Sequence, residues 1–139
     1  MAQEDKKLLL ADLCTRLPYH CRVFYEYVDN LDNKTYGYSL TLNTWCINEF
    51  IANKAVIKPY LRKMSSMTKE ERYEIQEILG KDIEILDGFI NIIESSRKRF
   101  SFLELHALFN WFNAHNFDYC GLIEKELALE ALEGMYSIK

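Results

Sequence analysis

Residues Thr35 to Leu42 alternate without a break. Tyr36, Tyr38, Leu40 and Leu42 fall on one side of an extended chain, and Thr35, Gly37, Ser39 and Thr41 on the other. A period of two over eight residues marks a strand with one packed face. Upstream, His20 to Val28 is rich in β-formers. The segment between them, Asp29-Asn30-Leu31-Asp32-Asn33-Lys34, is turn chemistry, because Asn and Asp side chains bond their own backbone. The stretch predicts a β-hairpin, so the fold cannot be all helical.

Elsewhere the period is helical. Leu9, Leu10, Leu13, Cys14 and Leu17 recur at three- and four-residue spacing over Lys6–Leu17, which Pro18 ends. Trp45 to Ile51 suits a helix or a strand equally, and Lys54 to Ile57 suits a short strand ahead of Pro59. Thr68 with Glu71 is a capping-box pattern opening a helix to Leu79, with Gly80 to close it. Ile83 to Ser95 places seven apolar residues on one half of a helical wheel and reads as an amphipathic helix. Arg97-Lys98-Arg99 reads as a solvated turn behind it. Ser101 with Glu104 repeats the capping box before Phe102–His115, which is apolar nearly all round and reads as a central core helix. The expected class is α+β. An N-terminal helix and a small antiparallel sheet within residues 19–58 precede three or more helices packed against it. The expected core holds Leu13, Leu40, Ile75, Ile90, Ile93, Leu105, Leu108, Phe109 and Phe112.

At 139 residues the chain is sized for one core, so 1–139 is expected to be a single domain. Nine Tyr, eight Phe and two Trp exclude a disordered chain. Residues 1–63 carry nine basic and seven acidic side chains, whereas 64–139 carry eight and fourteen. That mild asymmetry argues against general nucleic-acid binding, which needs a clustered basic surface. Only four apolar residues, Leu8 to Ala11, follow the charged start, too few for a signal peptide or a membrane span. A cytoplasmic protein with no membrane partner is expected. Cys14, Cys21, Cys46 and Cys120 form no C-x-x-C pair and no zinc spacing, so no metal and reduced thiols are expected. The scattered glycines make no phosphate-cradling loop, and no cofactor is expected.

Three groups of residues bear on function. His115, Asp118 and Cys120 contain the ingredients of a thiol nucleophile with an oriented base, but residues this close in sequence seldom reach that geometry. Tyr25, Tyr27, Tyr36 and Tyr38, with Lys34, Lys58, Arg62 and Lys63 nearby, could stack bases and meet phosphates in a single-stranded nucleic-acid binder. Packing of the tyrosines under the helices explains them more simply. Beyond Gly121, the leucines of the tail fit a helix face that would dock on Phe102–His115. That places Trp111, His115, Asp118 and Tyr119 at a seam suited to contacting a partner.

Three stretches carry a resemblance: Asp12-Leu-Cys-Thr-Arg-Leu-Pro-Tyr19, Ile57-Lys-Pro-Tyr-Leu-Arg-Lys-Met-Ser-Ser-Met-Thr-Lys-Glu-Glu71, and Phe109 to Lys125 continuing through Leu127-Ala-Leu-Glu-Ala131. Together they resemble a family of small proteins encoded by Bacteroides-type gut bacteria and their phages and prophages. The sequence departs from that pattern at Lys63, Cys120, Glu126 and Leu132, where the family has Pro, Arg, Gly and Pro. The resemblance implies a phage or mobile-element accessory protein in a bacterial cytoplasm. With no credible catalytic set, the expected function is non-enzymatic binding of a host or phage protein, with homo-oligomerisation open.

Overall fold

A computed structural model describes residues 1–80, 82–86, 89–94 and 101–136, with 82–86 and 89–94 described through backbone pairing. The elements are α1 (Gln3–Arg16), β1 (Arg22–Val28), β2 (Thr35–Thr41), α2 (Thr44–Ile51), β3 (Val56–Leu61), α3 (Lys69–Leu79), β4 (Asp82–Leu86), β5 (Phe89–Glu94), α4 (Phe102–Ala114) and β6 (Leu129–Glu130). This is the expected α+β class. The chain divides into two compact units, Met1–Leu61 with Leu122–Lys139, and Arg62–Gly121.

In the first unit the alternating stretch forms β2, paired antiparallel with β1, so that Tyr25 faces Tyr38 and Tyr27 faces Tyr36. The sheet order is β2-β1-β3-β6, with β3 antiparallel to β1 and β6 parallel to β3. Pro59 sits inside β3 opposite Val23. The Leu42 N–H donates to the Cys21 carbonyl and the Asp29 N–H to the Lys34 carbonyl. That parity turns the backbone groups of Val23 toward β2, so the missing N–H of Pro59 costs the β1–β3 ladder nothing.

The ambiguous Trp45–Ile51 segment is helical. The Asn43 side chain accepts from Cys46 N at 2.9 Å and caps α2, whose Cys46, Ile47 and Phe50 are buried. They pack with Leu9 and Leu13 of α1 and with Val23, Tyr25 and Ile57 of the sheet. On the buried side of α1, Arg16 also pairs with Asp12 at 2.8 Å.

The tail departs from expectation. It forms no helix on Phe102–His115; Leu122, Leu127 and Ala128 are buried in the core of the first unit. Glu126 takes a left-handed φ of 61°, and the N–H groups of Leu127 and Ala128 both donate to the Leu122 carbonyl. The chain then pairs with the end of β3, where the Ala131 N–H donates to the Leu61 carbonyl at 2.8 Å. The strand end satisfies backbone groups that a helix would satisfy internally, while each buried leucine contributes about 1.5–3 kcal/mol.

In the second unit both capping boxes form, at Thr68/Glu71 and Ser101/Glu104, and Gly80 closes α3 with φ 62°. Ile75 and Leu79 of α3 pack with Leu108 and Phe112 of α4 and with Phe117. As a core helix α4 is narrower than expected, because only Leu108, Phe112 and Asn113 are buried. Leu105 is half-buried and Phe109 remains 43% exposed. Leu40, in the first unit, is half-buried too.

The predicted helix over Ile83–Ser95 is instead the antiparallel pair β4–β5, so two helices, not three, follow Met67 among the described residues. Ile83 pairs with Ile92, Ile85 with Ile90 and Leu86 with Phe89. β-branched residues favour this pleated arrangement over a helix. The Ile90 and Ile93 side chains, and Arg97-Lys98-Arg99, lie outside what is described.

Candidate functional site

The hairpin register gathers aromatic rings on one face. Tyr25 is 5% exposed and fixed under α2, where its ring stacks on Trp45 at 5.0 Å between centroids. Tyr38 meets Tyr25 at 5.4 Å, and Tyr36 stacks on Tyr27 at 6.0 Å. The outer rings stay open to solvent: Tyr36 is 42% exposed, Tyr38 44% and Trp45 47%. The Tyr36 hydroxyl donates to Asp32 in the turn, which holds the Asp32 carboxyl below its ordinary range and raises the Tyr36 phenol. The expectation that Tyr36 and Tyr38 pack under the helices is therefore not met: both lie exposed on β2, the edge strand of the sheet.

Beside these rings runs an open groove of about 830 Å³, lined by Tyr27, Phe50, Lys6, Glu49, Asn53 and Lys54 among others. The Lys6 ammonium bonds the Asn53 side chain and the Ile51 carbonyl, and lies 5.3 Å from the Phe50 ring centre. Aromatic walls with charged ends make this a polar-rimmed surface.

The opposite face of the sheet carries Phe24, Lys58 and Tyr60 around a pocket of about 330 Å³. Lys58 is paired with Phe24 in register, so it lies across the sheet from Tyr25 and Tyr27. Phe24 rests on Gly37, and the Tyr60 hydroxyl meets Ser39 Oγ at 3.0 Å.

Of the other predicted residues, Arg62 is buried in the second unit. Its Nη1 and Nη2 donate to the two Glu71 oxygens at 2.7 Å each, and its guanidinium lies 4.1 Å from the Phe117 ring centre. Lys63 beside it is exposed. Arg62 is thereby committed to a carboxylate, and Tyr25 offers no open ring to a base.

Trp111 and His115 do come together, stacked at 4.0 Å, with Phe117 on Trp111 at 5.7 Å. Trp111 Nε1 donates to Glu74 at 2.9 Å, and His115 Nδ1 donates to the Trp111 carbonyl at 2.9 Å. The other ring nitrogen of His115 lies 3.8 Å from Glu74. Asp118 is buried, and its N–H donates to the Arg62 carbonyl at 2.9 Å. Tyr119 stacks on Phe112 at 5.5 Å and donates to Asn113 at 2.9 Å. These four side chains serve largely the unit's own packing.

Cys120 is exposed, while both nitrogens of His115 face Trp111 and Glu74. Burial pushes the Cys21 thiol up to about 11 and raises Cys46, which suits packing and not nucleophilic attack. Among the described residues, no three His, Cys, Asp or Glu side chains are grouped to hold a metal ion, and no helix is long and apolar enough to cross a membrane. The chain matches no protein family, no curated protein and no solved structure.

Sequence reasoning missed Trp45 as part of this surface. Its signal was the asparagine cap at Asn43, which fixes the helix and hence the direction of the indole.

Proposed function

We propose that the chain is a non-enzymatic protein-binding module that docks its partner on the ring face of the β1–β2 hairpin. The observation that carries this is the set Tyr36, Tyr38 and Trp45, each more than two-fifths exposed yet held by Tyr25 and Tyr27 beneath. Tyr and Trp are enriched at the energetic centres of interfaces, and rings already in place lose little entropy on binding. The resemblance to phage and prophage proteins supports a setting, a phage or mobile-element accessory protein in a bacterial cytoplasm that binds a host or phage protein.

The test is affinity capture from host lysate with the full chain and with a Tyr36→Ser/Tyr38→Ser variant. A protein held by the parent and lost with the variant supports the reading. Equal capture by both chains removes the ring face from it. Recovery of nucleic acid whose binding falls steeply with salt would replace it with the nucleic-acid alternative.

A further inference from the structure

The outer edge of β2 is unguarded. Edge strands are normally blunted by Lys, Pro, a bulge or short length. β6, at the other edge, is two residues long. β2 has seven residues, Thr-Tyr-Gly-Tyr-Ser-Leu-Thr, with no charge and no proline, and it pairs with β1 in unbroken register. Among the described residues no strand lies on its far side.

Which backbone groups face outward follows from the ladder. The bonds from Leu42 N to Cys21 O and from Asp29 N to Lys34 O set the parity, so Leu40, Tyr38 and Tyr36 turn their N–H and C=O groups toward β1. Thr35, Gly37, Ser39 and Thr41 turn theirs to solvent.

We propose that a second copy of this chain adds its own β2 antiparallel to this edge, with Tyr38 on the two-fold axis. In that register Thr35 faces the other copy's Thr41 and Gly37 faces its Ser39, so every outward group meets an outward group. A two-fold contact needs such a self-complementary row, and an uncharged strand brings no like charges together.

The flanking charges also agree. Arg22 reaches over Thr41, donating from Nη1 to its Oγ1 at 3.1 Å. The register brings the other copy's Thr35 there, just after its turn with Asp29, Asp32 and Lys34, which is net acidic. On the ring face, Tyr38 meets Tyr38 and Tyr36 meets Leu40, joining the two aromatic surfaces. The pairing rests on the backbone edge and not on the docking reading above.

Sedimentation equilibrium on the full chain should show a dimer, and Ser39→Pro, which blocks the outward edge, should weaken it at least tenfold with an unchanged circular dichroism spectrum. In a Cys14→Ser/Cys120→Ser background, Tyr38→Cys should cross-link with itself under mild oxidation. Non-hydrogen-bonded partners stand about 4.5 Å apart at Cα, within disulfide reach. Tyr36→Cys and Leu40→Cys should cross-link only when mixed. A chain that stays monomeric at several hundred micromolar, or a Tyr36→Cys variant that cross-links with itself as readily as Tyr38→Cys, overturns the pairing. A monomer that still captures a protein through Tyr36 and Tyr38 sinks the pairing alone; a dimer that captures nothing sinks only the docking reading.

Discussion

The Tyr136 hydroxyl donates to the Tyr60 carbonyl at 2.7 Å and accepts from the Arg22 N–H at 2.9 Å. By the β1–β3 register, Arg22 and Tyr60 would pair directly one step beyond Val23 and Pro59. The phenol is wedged there, with Cys21 Sγ 3.7 Å away, and it ties the tail to the sheet. Burial raises the phenol well above its ordinary range, so it bridges as a neutral group.

Tyr136→Phe keeps the ring and leaves that N–H and C=O without their partner. The expected loss is about 1–3 kcal/mol in denaturant unfolding, the cost of stranding partly buried polar groups. No change would mean that the two backbone groups bond each other directly.

Gly37 exists for Phe24. A Cβ there would stand 2.7 Å from Cε1 of that ring. Gly37→Ala should destabilise by about 1–3 kcal/mol through overpacking. In a Phe24→Ala background the same substitution should cost far less. Equal cost in both backgrounds would contradict the contact.

Glu126 occupies a left-handed conformation, φ 61°. Left-handed backbone costs a side-chain-bearing residue about 1–2 kcal/mol. Glu126→Gly should therefore raise stability by about 1 kcal/mol in thermal melts. A fall would show that the Glu126 side chain contributes more than its strain.

Glu71 makes the second unit acid-sensitive. Burial alone would raise its carboxyl, but the two Arg62 bonds and the Thr68 N–H together hold it below the ordinary value. A depressed folded value adds stability above the unfolded value, about 4.3, and loses it as pH falls through the folded one. Glu71→Gln should flatten the stability profile in that acid window. Glu71→Ala should cost about 3–5 kcal/mol at neutral pH by stranding the buried Arg62.

The sequence was most legible where one signal acted alone. The strand over Thr35–Thr41 and the two capping boxes needed no tertiary information, and each formed, though the face of the strand read as packed is largely open. Ile83–Ser95 fitted two periods at once. Its isoleucines fill half a helical wheel but also alternate about Asp87-Gly88, a two-residue hairpin sequence that outweighs the wheel. The burial of Leu122 and Leu127 was readable, though Leu132 stays 62% exposed; the edge of β3 that pairs with Leu129 was not, because nothing local to Leu129 names its partner. Nor could the sequence separate Tyr25 from Tyr38. Both sit in β-rich stretches, and it is the sheet order, with β1 inside and β2 at the edge, that sets the covered ring apart from the open one.

The docking reading is tested most directly by oxidative footprinting of the chain alone and in complex with its captured partner. Tyr36, Tyr38 and Trp45 should be labelled readily in the free chain and several-fold less in the complex. Tyr73, 51% exposed in the second unit, should be unchanged. Equal labelling of all three rings in both states would contradict the assignment of the hairpin face as the binding surface.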